Sequence, residues 1–198
     1  MDFLREMGLD QAIEILTVVL SLLYVGLIAG NRRVGWWFGI AASILSVWLF
    51  IRVNLLAESV LSAYYVLMGL YGYFHWKYGS PAATNPPILV RSLRFHGTII
   101  GFSLLLTIGL AQVLNLIGSS NIYADAGTTI FSFIATWMVA KRIIENWIYW
   151  ICINALTIYL YFSRDLNVYA VLSFVYTILA VYGYFEWKKD LQKQLKTA

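Results

Sequence analysis

Charge is scarce in this 198-residue chain: Asp, Glu, Lys and Arg together make up 12% of it, about half the share usual in a soluble domain. So few charged side chains cannot keep a globular protein of 22.6 kDa in solution. Cysteine occurs once, which excludes a disulfide scaffold. Proline occurs three times, at Pro81, Pro86 and Pro87, so no apolar run is broken from within. The opening MDFLREMGLDQ has no leading apolar stretch and is not expected to be a cleavable signal peptide. A nucleotide-binding glycine loop, a zinc-protease motif and a nucleophile elbow are all missing, so the chain is not expected to be an enzyme.

What remains is apolar. Hydrophobic residues reach 61%, with eight Trp and a mean hydropathy of +0.72. A helical crossing takes about 20 mostly apolar residues. The runs predict helices at about 13–30, 34–51, 58–76, 96–117, 123–140, 144–162 and 167–187. The expected fold is an all-α membrane protein with seven transmembrane helices, and the proline-bearing connection at 77–95 is the expected joint between two halves.

Lys and Arg set the expected orientation. Arg32, Arg33, Lys77, Arg91, Arg94, Lys141, Arg142, Lys188, Lys189, Lys193 and Lys196 fall on one side of the alternation, and Arg5, Arg52 and Arg164 on the other. That bias places the N-terminus outside and the C-terminal tail in the cytoplasm. It anchors the chain at anionic lipid and gives no support to a nucleic-acid partner.

The chain repeats itself. YGYFHWK at 71–77 and YGYFEWK at 182–188 differ at His75 against Glu186 alone. Shifted by the same 111 residues, Trp36 meets Trp147, Leu45 meets Leu156, Ser62 meets Ser173 and Tyr65 meets Tyr176. The expected organisation is a three-helix repeat at 12–77, a loop and linker helix at 78–122, a second repeat at 123–188 and a tail at 189–198. A single linker helix restores the orientation that three spans reverse, so the repeats are expected to be parallel, with substrate held between them near the midplane.

The sixth run places Trp147, Trp150 and Asn154 at i, i+3 and i+7, on one helical face. Two indoles and a carboxamide can grip a flat polar ring. The same residues also suit an interfacial anchor and an interhelical hydrogen bond. The repeat equivalents are Trp36, Gly39 and Ser43, so the bulky polar groups stand on one side and open space on the other. Gln112 and Asn115 in the linker helix each need a partner or a ligand, and Tyr65 and Tyr176 suit binding or helix contact equally. Thr17, Ser21, Thr128 and Ser132 read as structural hydroxyls, bonded back to their own helices or packed between helices. Glu14 and Asp125 lie near outer span ends, and no carboxylate sits mid-span, which favours an equilibrating carrier over an ion-coupled pump. His75 and His96 fall at helix ends and read as interfacial. Cys152 reads as packing. With every Lys at a span end or in the tail, a retinal-type Schiff base is excluded, and no cofactor or metal is expected.

Trp147-x-x-Trp150-x-x-x-Asn154, the Tyr159–Tyr161 stretch and the closing GYFEWKK resemble the PnuC family of bacterial vitamin transporters, a likeness that covers essentially the whole chain. In that family W-x-x-W-x-x-x-[ND] marks nicotinamide riboside carriers, and related members are thought to carry thiamine or riboflavin. The resemblance implies the fold of full-length SWEET sugar transporters, although the proline hinges of SWEETs are missing; Gly39, Gly69, Gly72 and Gly183 are left as hinges. It implies facilitated diffusion across the bacterial inner membrane, made one-way by a cytoplasmic riboside kinase. Such transporters commonly assemble, so a homo-oligomer is compatible with it. A thiamine carrier, or a membrane receptor or assembly subunit that does not transport, are the other readings.

Overall fold

Each apolar run forms one helix. The computed structural model describes residues 2–52, 56–79, 85–117 and 122–197. Its helices are α1 (Asp2–Ala29), α2 (Gly35–Arg52), α3 (Leu56–Tyr78), α4 (Leu93–Ile117), α5 (Ile122–Ala140), α6 (Asn146–Phe162) and α7 (Asn167–Thr197). Five of them (α1, α2, α4, α5 and α7) are long and apolar enough to cross a membrane. The 17 residues of α6 include Asn146 and Asn154, and α3 carries Glu58, His75 and Lys77; polarity and length set these two apart.

Two helices outrun their apolar cores. α1 begins about eleven residues before the expected start, and α7 runs ten beyond the expected end. The α7 extension is a polar helix held by pairs one turn apart: Lys189 to Glu186 at 2.7 Å and Lys193 to Asp190 at 2.9 Å. Such pairs contribute about 0.2–0.5 kcal/mol each. Hydropathy marks where a helix leaves the bilayer and says nothing of where the helix ends.

The chain forms two units, Met1–Pro86 and Pro87–Ala198. In the first, α2 packs on both α1 and α3; in the second, α4 packs on α5, α5 on α6 and α6 on α7. Small residues let α4 approach α5: Ser103, Thr107 and Ala111, four apart, are buried. The Ser103 and Thr107 hydroxyls donate to the carbonyls of Ile99 and Ser103, one turn back.

The repeat is visible atom by atom in the turns. At the end of α1, Asn31 takes the left-handed conformation (φ 57°), with Asn31 N–H bonded to Ile28 O at 3.0 Å and Arg32 N–H to Leu27 O at 2.8 Å. At the end of α5, Arg142 does the same (φ 56°), with bonds to Val139 O at 3.0 Å and from Ile143 N–H to Met138 O at 2.9 Å. Every one of these atoms is displaced by 111 residues from its counterpart. Both are Schellman caps, which satisfy the last carbonyls of a helix. Asn tolerates the left-handed region; Arg pays about 1 kcal/mol or more to occupy it. Arg142 is 3% exposed, and its guanidinium lies 5.3 Å over the Trp187 ring. Burial lowers its pKa to about 10, which leaves it charged at neutral pH.

The proline connection uses the same turns. In the first unit, Asn85 donates its side-chain N–H to Asn31 O at 2.7 Å. In the second, Leu89 N–H donates to Arg142 O (2.8 Å) and Leu89 O accepts from Ile144 N–H (3.0 Å), one step of parallel pairing. Ile88 N–H reaches Gln194 Oε1 at 3.1 Å, so the α7 extension helps hold this segment. At the far ends of the helices, Arg52 pairs with Asp10 at 3.5 Å and Arg164 with both oxygens of Asp125, at 3.0 and 2.9 Å.

Candidate functional site

α6 enters from a buried turn. Asn146 is fully enclosed and donates to Ile143 O at 2.7 Å, which ties the first residue of the helix back to the turn. One residue on, Trp147 is 3% exposed. Its ring meets Trp187 edge-on at 5.4 Å and lies against Gly183, both on α7. A Cβ at Gly183 would stand 2.6 Å from Trp147 Cζ2, so only glycine leaves room for this ring. Trp36 repeats the arrangement in the first unit: it meets Trp76 edge-on at 5.7 Å and fills the notch at Gly72. Each YGYF(H/E)WK segment thus supplies both the glycine and the second indole that enclose the first. Both indole N–H groups are enclosed and have no hydrogen-bond partner among the described residues.

Further along the same face stand Trp150, half-buried, and Asn154, 7% exposed. The backbone carbonyl of Asn154 also accepts from Thr157 Oγ1 at 2.9 Å. In the other repeat these positions are Gly39 and Ser43, both half-buried on α2. The shared residue of the stripe is thus a packing element in both units, and the two positions that differ carry unlike side chains. A flat indole face and a buried carboxamide within two turns of one rigid helix can orient a planar, amide-bearing ring.

The remaining candidates are scattered. Tyr65 is half-buried on α3, beside Tyr64 at 5.8 Å between ring centres, and Tyr176 is half-buried on α7. Gln112 and Asn115 have exposed side chains on α4; Asn115 continues the Ser103–Thr107–Ala111 stripe by one turn, past the residues that α5 covers. Trp36, Ser43 and Tyr65 belong to the first unit, and the other six to the second. Of the hydroxyls, Thr128 bonds back to Ala124 O at 3.0 Å, and the Thr17 oxygen is enclosed with no hydrogen-bond partner among the described residues. The four glycines read as hinges are close contacts: a Cβ would lie 2.7 Å from the Tyr24 ring at Gly39 and 2.6 Å from Ile40 at Gly69.

Comparison with known proteins gives the family and the fold. The family model described as nicotinamide mononucleotide transporter matches residues 11–189, nearly the full length and all of α2 to α6. The chain belongs to this family. A curated relative, the nicotinamide riboside transporter PnuC of Haemophilus influenzae (strain ATCC 51907 / DSM 11121 / KW20 / Rd), is 26% identical over 188 residues, 93% of this chain and 82% of the relative. The crystal structure of the vitamin B3 transporter PnuC superposes with a TM-score of 0.76, at 22% identity, over 97% of this chain and 87% of that one. The fold is therefore that of the solved transporter. This is a multi-pass membrane transporter and not an enzyme.

Proposed function

We propose that the protein equilibrates nicotinamide riboside across the bacterial inner membrane by alternating access, with its N-terminus outside. The α6 stripe carries the reading. Nicotinamide riboside joins a flat pyridinium of fixed positive charge to an amide and a ribose. The Trp150 face attracts such a ring by a cation–π contact of about 0.5–2 kcal/mol. Asn154 matches the amide with a donor and an acceptor, and Trp147 fixes the stripe against α7 with its own N–H left to give. Gln112, Asn115 and Tyr176 of the second unit complete the proposed set, their carboxamide and hydroxyl groups suited to the ribose hydroxyls; Trp36, Ser43 and Tyr65 are the repeat counterparts of Trp147, Asn154 and Tyr176 in the first unit.

The riboside fits better than its phosphate ester, although the family description is worded for the mononucleotide. All fourteen Lys and Arg lie at helix ends, in turns or in the tails, so the span interiors offer no cation to a phosphate dianion. The same inventory favours downhill transport, because proton- and sodium-coupled carriers place ionisable groups in mid-span. Phosphorylation by a cytoplasmic kinase would then trap the product. A homo-oligomer is compatible with this reading.

Competition binding tests the cargo. Nicotinamide riboside is expected to displace labelled riboside from the purified protein more effectively than thiamine or nicotinamide mononucleotide. Asn154→Ala is expected to weaken riboside binding by at least about 1 kcal/mol, the scale of one lost buried hydrogen bond. Thiamine as the stronger competitor would move the assignment to another vitamin, and unchanged affinity in Asn154→Ala would remove that residue from the site.

A further inference from the structure

One polar cluster stands outside the stripe and ties α4 to the same turns of α6. His96, in the first turn of α4, has Nδ1 3.1 Å from the Tyr149 hydroxyl on α6. Its Nε2 faces Glu145 Oε1 at 3.8 Å, and that oxygen also accepts the Arg91 N–H at 3.1 Å. The imidazole is walled by Phe95, edge-on at 5.3 Å, and Tyr149 packs in turn on Phe131 of α5. His96 Nε2 and Glu145 Oε2 are both enclosed, and neither has a hydrogen-bond partner among the described residues. Glu145 caps the start of α6 in helical backbone conformation and Tyr149 is four residues on, so the two stand one turn apart on one side of the helix, with Trp147 between them in sequence and Trp150 next after Tyr149.

Imidazole is the side chain that ordinarily changes charge between pH 5 and 8. Neutral, it can accept the Tyr149 O–H at Nδ1 and point its Nε2–H at Glu145; protonated, it donates from both nitrogens and meets Glu145 as an ion pair. The groups of changing or fixed charge around it are Tyr149 and, one turn on, Cys152 from α6, Glu145 from the turn, and Arg91 and Arg94 from the approach to α4. The Arg91 guanidinium lies 5.5 Å over the Phe95 ring and Arg94 is exposed.

We propose that His96 is a positioning residue, a proton-operated latch that joins α4 to the first turns of α6 when protonated and so restrains the helix bearing Trp150 and Asn154. Acidification tightens the latch, and rising pH loosens it. The latch stands on geometry alone; its effect on transport rests on the proposed riboside function.

Hydrogen exchange of the full-length protein in lipid nanodiscs tests it without substrate. After correction for intrinsic exchange rates, amides of 145–152 are expected to exchange about two- to fivefold more slowly at pH 5.5 than at pH 7.5. That difference disappears in His96→Gln and, independently, in Glu145→Gln. The same pH effect in His96→Gln, or no effect in the unmodified protein, overturns the latch. In proteoliposomes with one buffer on both faces, riboside exchange is expected to slow on acidification by a like factor, and to be flat with pH in Glu145→Gln. Amide protection that follows pH in a protein that exchanges no riboside supports the latch and refutes the riboside reading. Riboside exchange whose pH profile His96→Gln and Glu145→Gln leave unaltered refutes the latch and supports the function.

Discussion

Trp150→Ala is expected to weaken nicotinamide riboside binding about tenfold or more, the largest loss from any single truncation in the stripe. Trp150 is half-buried on α6, between Trp147, which is committed to Gly183 and Trp187, and Asn154, which is 7% exposed. Its ring is therefore the one indole of the stripe with a face to spare. Stacking of a flat base on an aromatic side chain is worth about 1–3 kcal/mol by truncation, and the fixed charge of the pyridinium adds a cation–π contribution. Alanine removes both; Trp150→Phe keeps a smaller face and is expected to fall between. Calorimetric titration of the three proteins reads the order directly. Equal affinities for wild type and Trp150→Ala would take the ring-binding role away from this residue.

The second large effect is on stability. Gly183→Ala is expected to destabilise the protein by about 1–3 kcal/mol, the usual result of forcing an extra methyl into a packed core. The added Cβ would lie 2.6, 2.7 and 2.8 Å from three atoms of the Trp147 ring, and Trp187 blocks the ring edge-on from another side. Neither ring can give way cheaply, since both are enclosed. Gly72→Ala should behave alike, because Trp36 fills that notch in the first unit. Gly101→Ala is the control: a Cβ there meets nothing within 4 Å, and alanine is the better helix former. Thermal unfolding in detergent should lower the midpoint for Gly183→Ala and Gly72→Ala and leave Gly101→Ala at or above wild type. A midpoint unchanged in both notch variants would mean that the Trp–Gly contacts do not hold α2 to α3 or α6 to α7.

The helices and the repeat are written in one dimension, as apolar runs and as YGYFHWK against YGYFEWK, so both were legible. The use of that repeated segment was not. Gly72 and Gly183 look like flexible points in a chain without span prolines, yet each is a notch for an indole that arrives from another helix, a matter of tertiary packing that no local pattern carries. The paired left-handed caps were hidden for a related reason. Asn31 and Arg142 share a backbone conformation but no side-chain chemistry, so identity across the repeat fails at the residues where geometry matches. His96 read as an interfacial residue from its place at a helix end; its contacts with Tyr149 and Glu145 bridge 53 and 49 residues of sequence. The Trp150–Asn154 pair was visible because its spacing lies within a single helix, where sequence and geometry coincide.

Uptake of labelled nicotinamide riboside into liposomes that contain the protein and no kinase separates an equilibrating carrier from a pump. Downhill carriage is expected to bring the internal concentration up to the external one and hold it there, with or without an imposed proton gradient. Accumulation above the external level when the gradient is applied, or no protein-dependent entry of riboside at all, would contradict it.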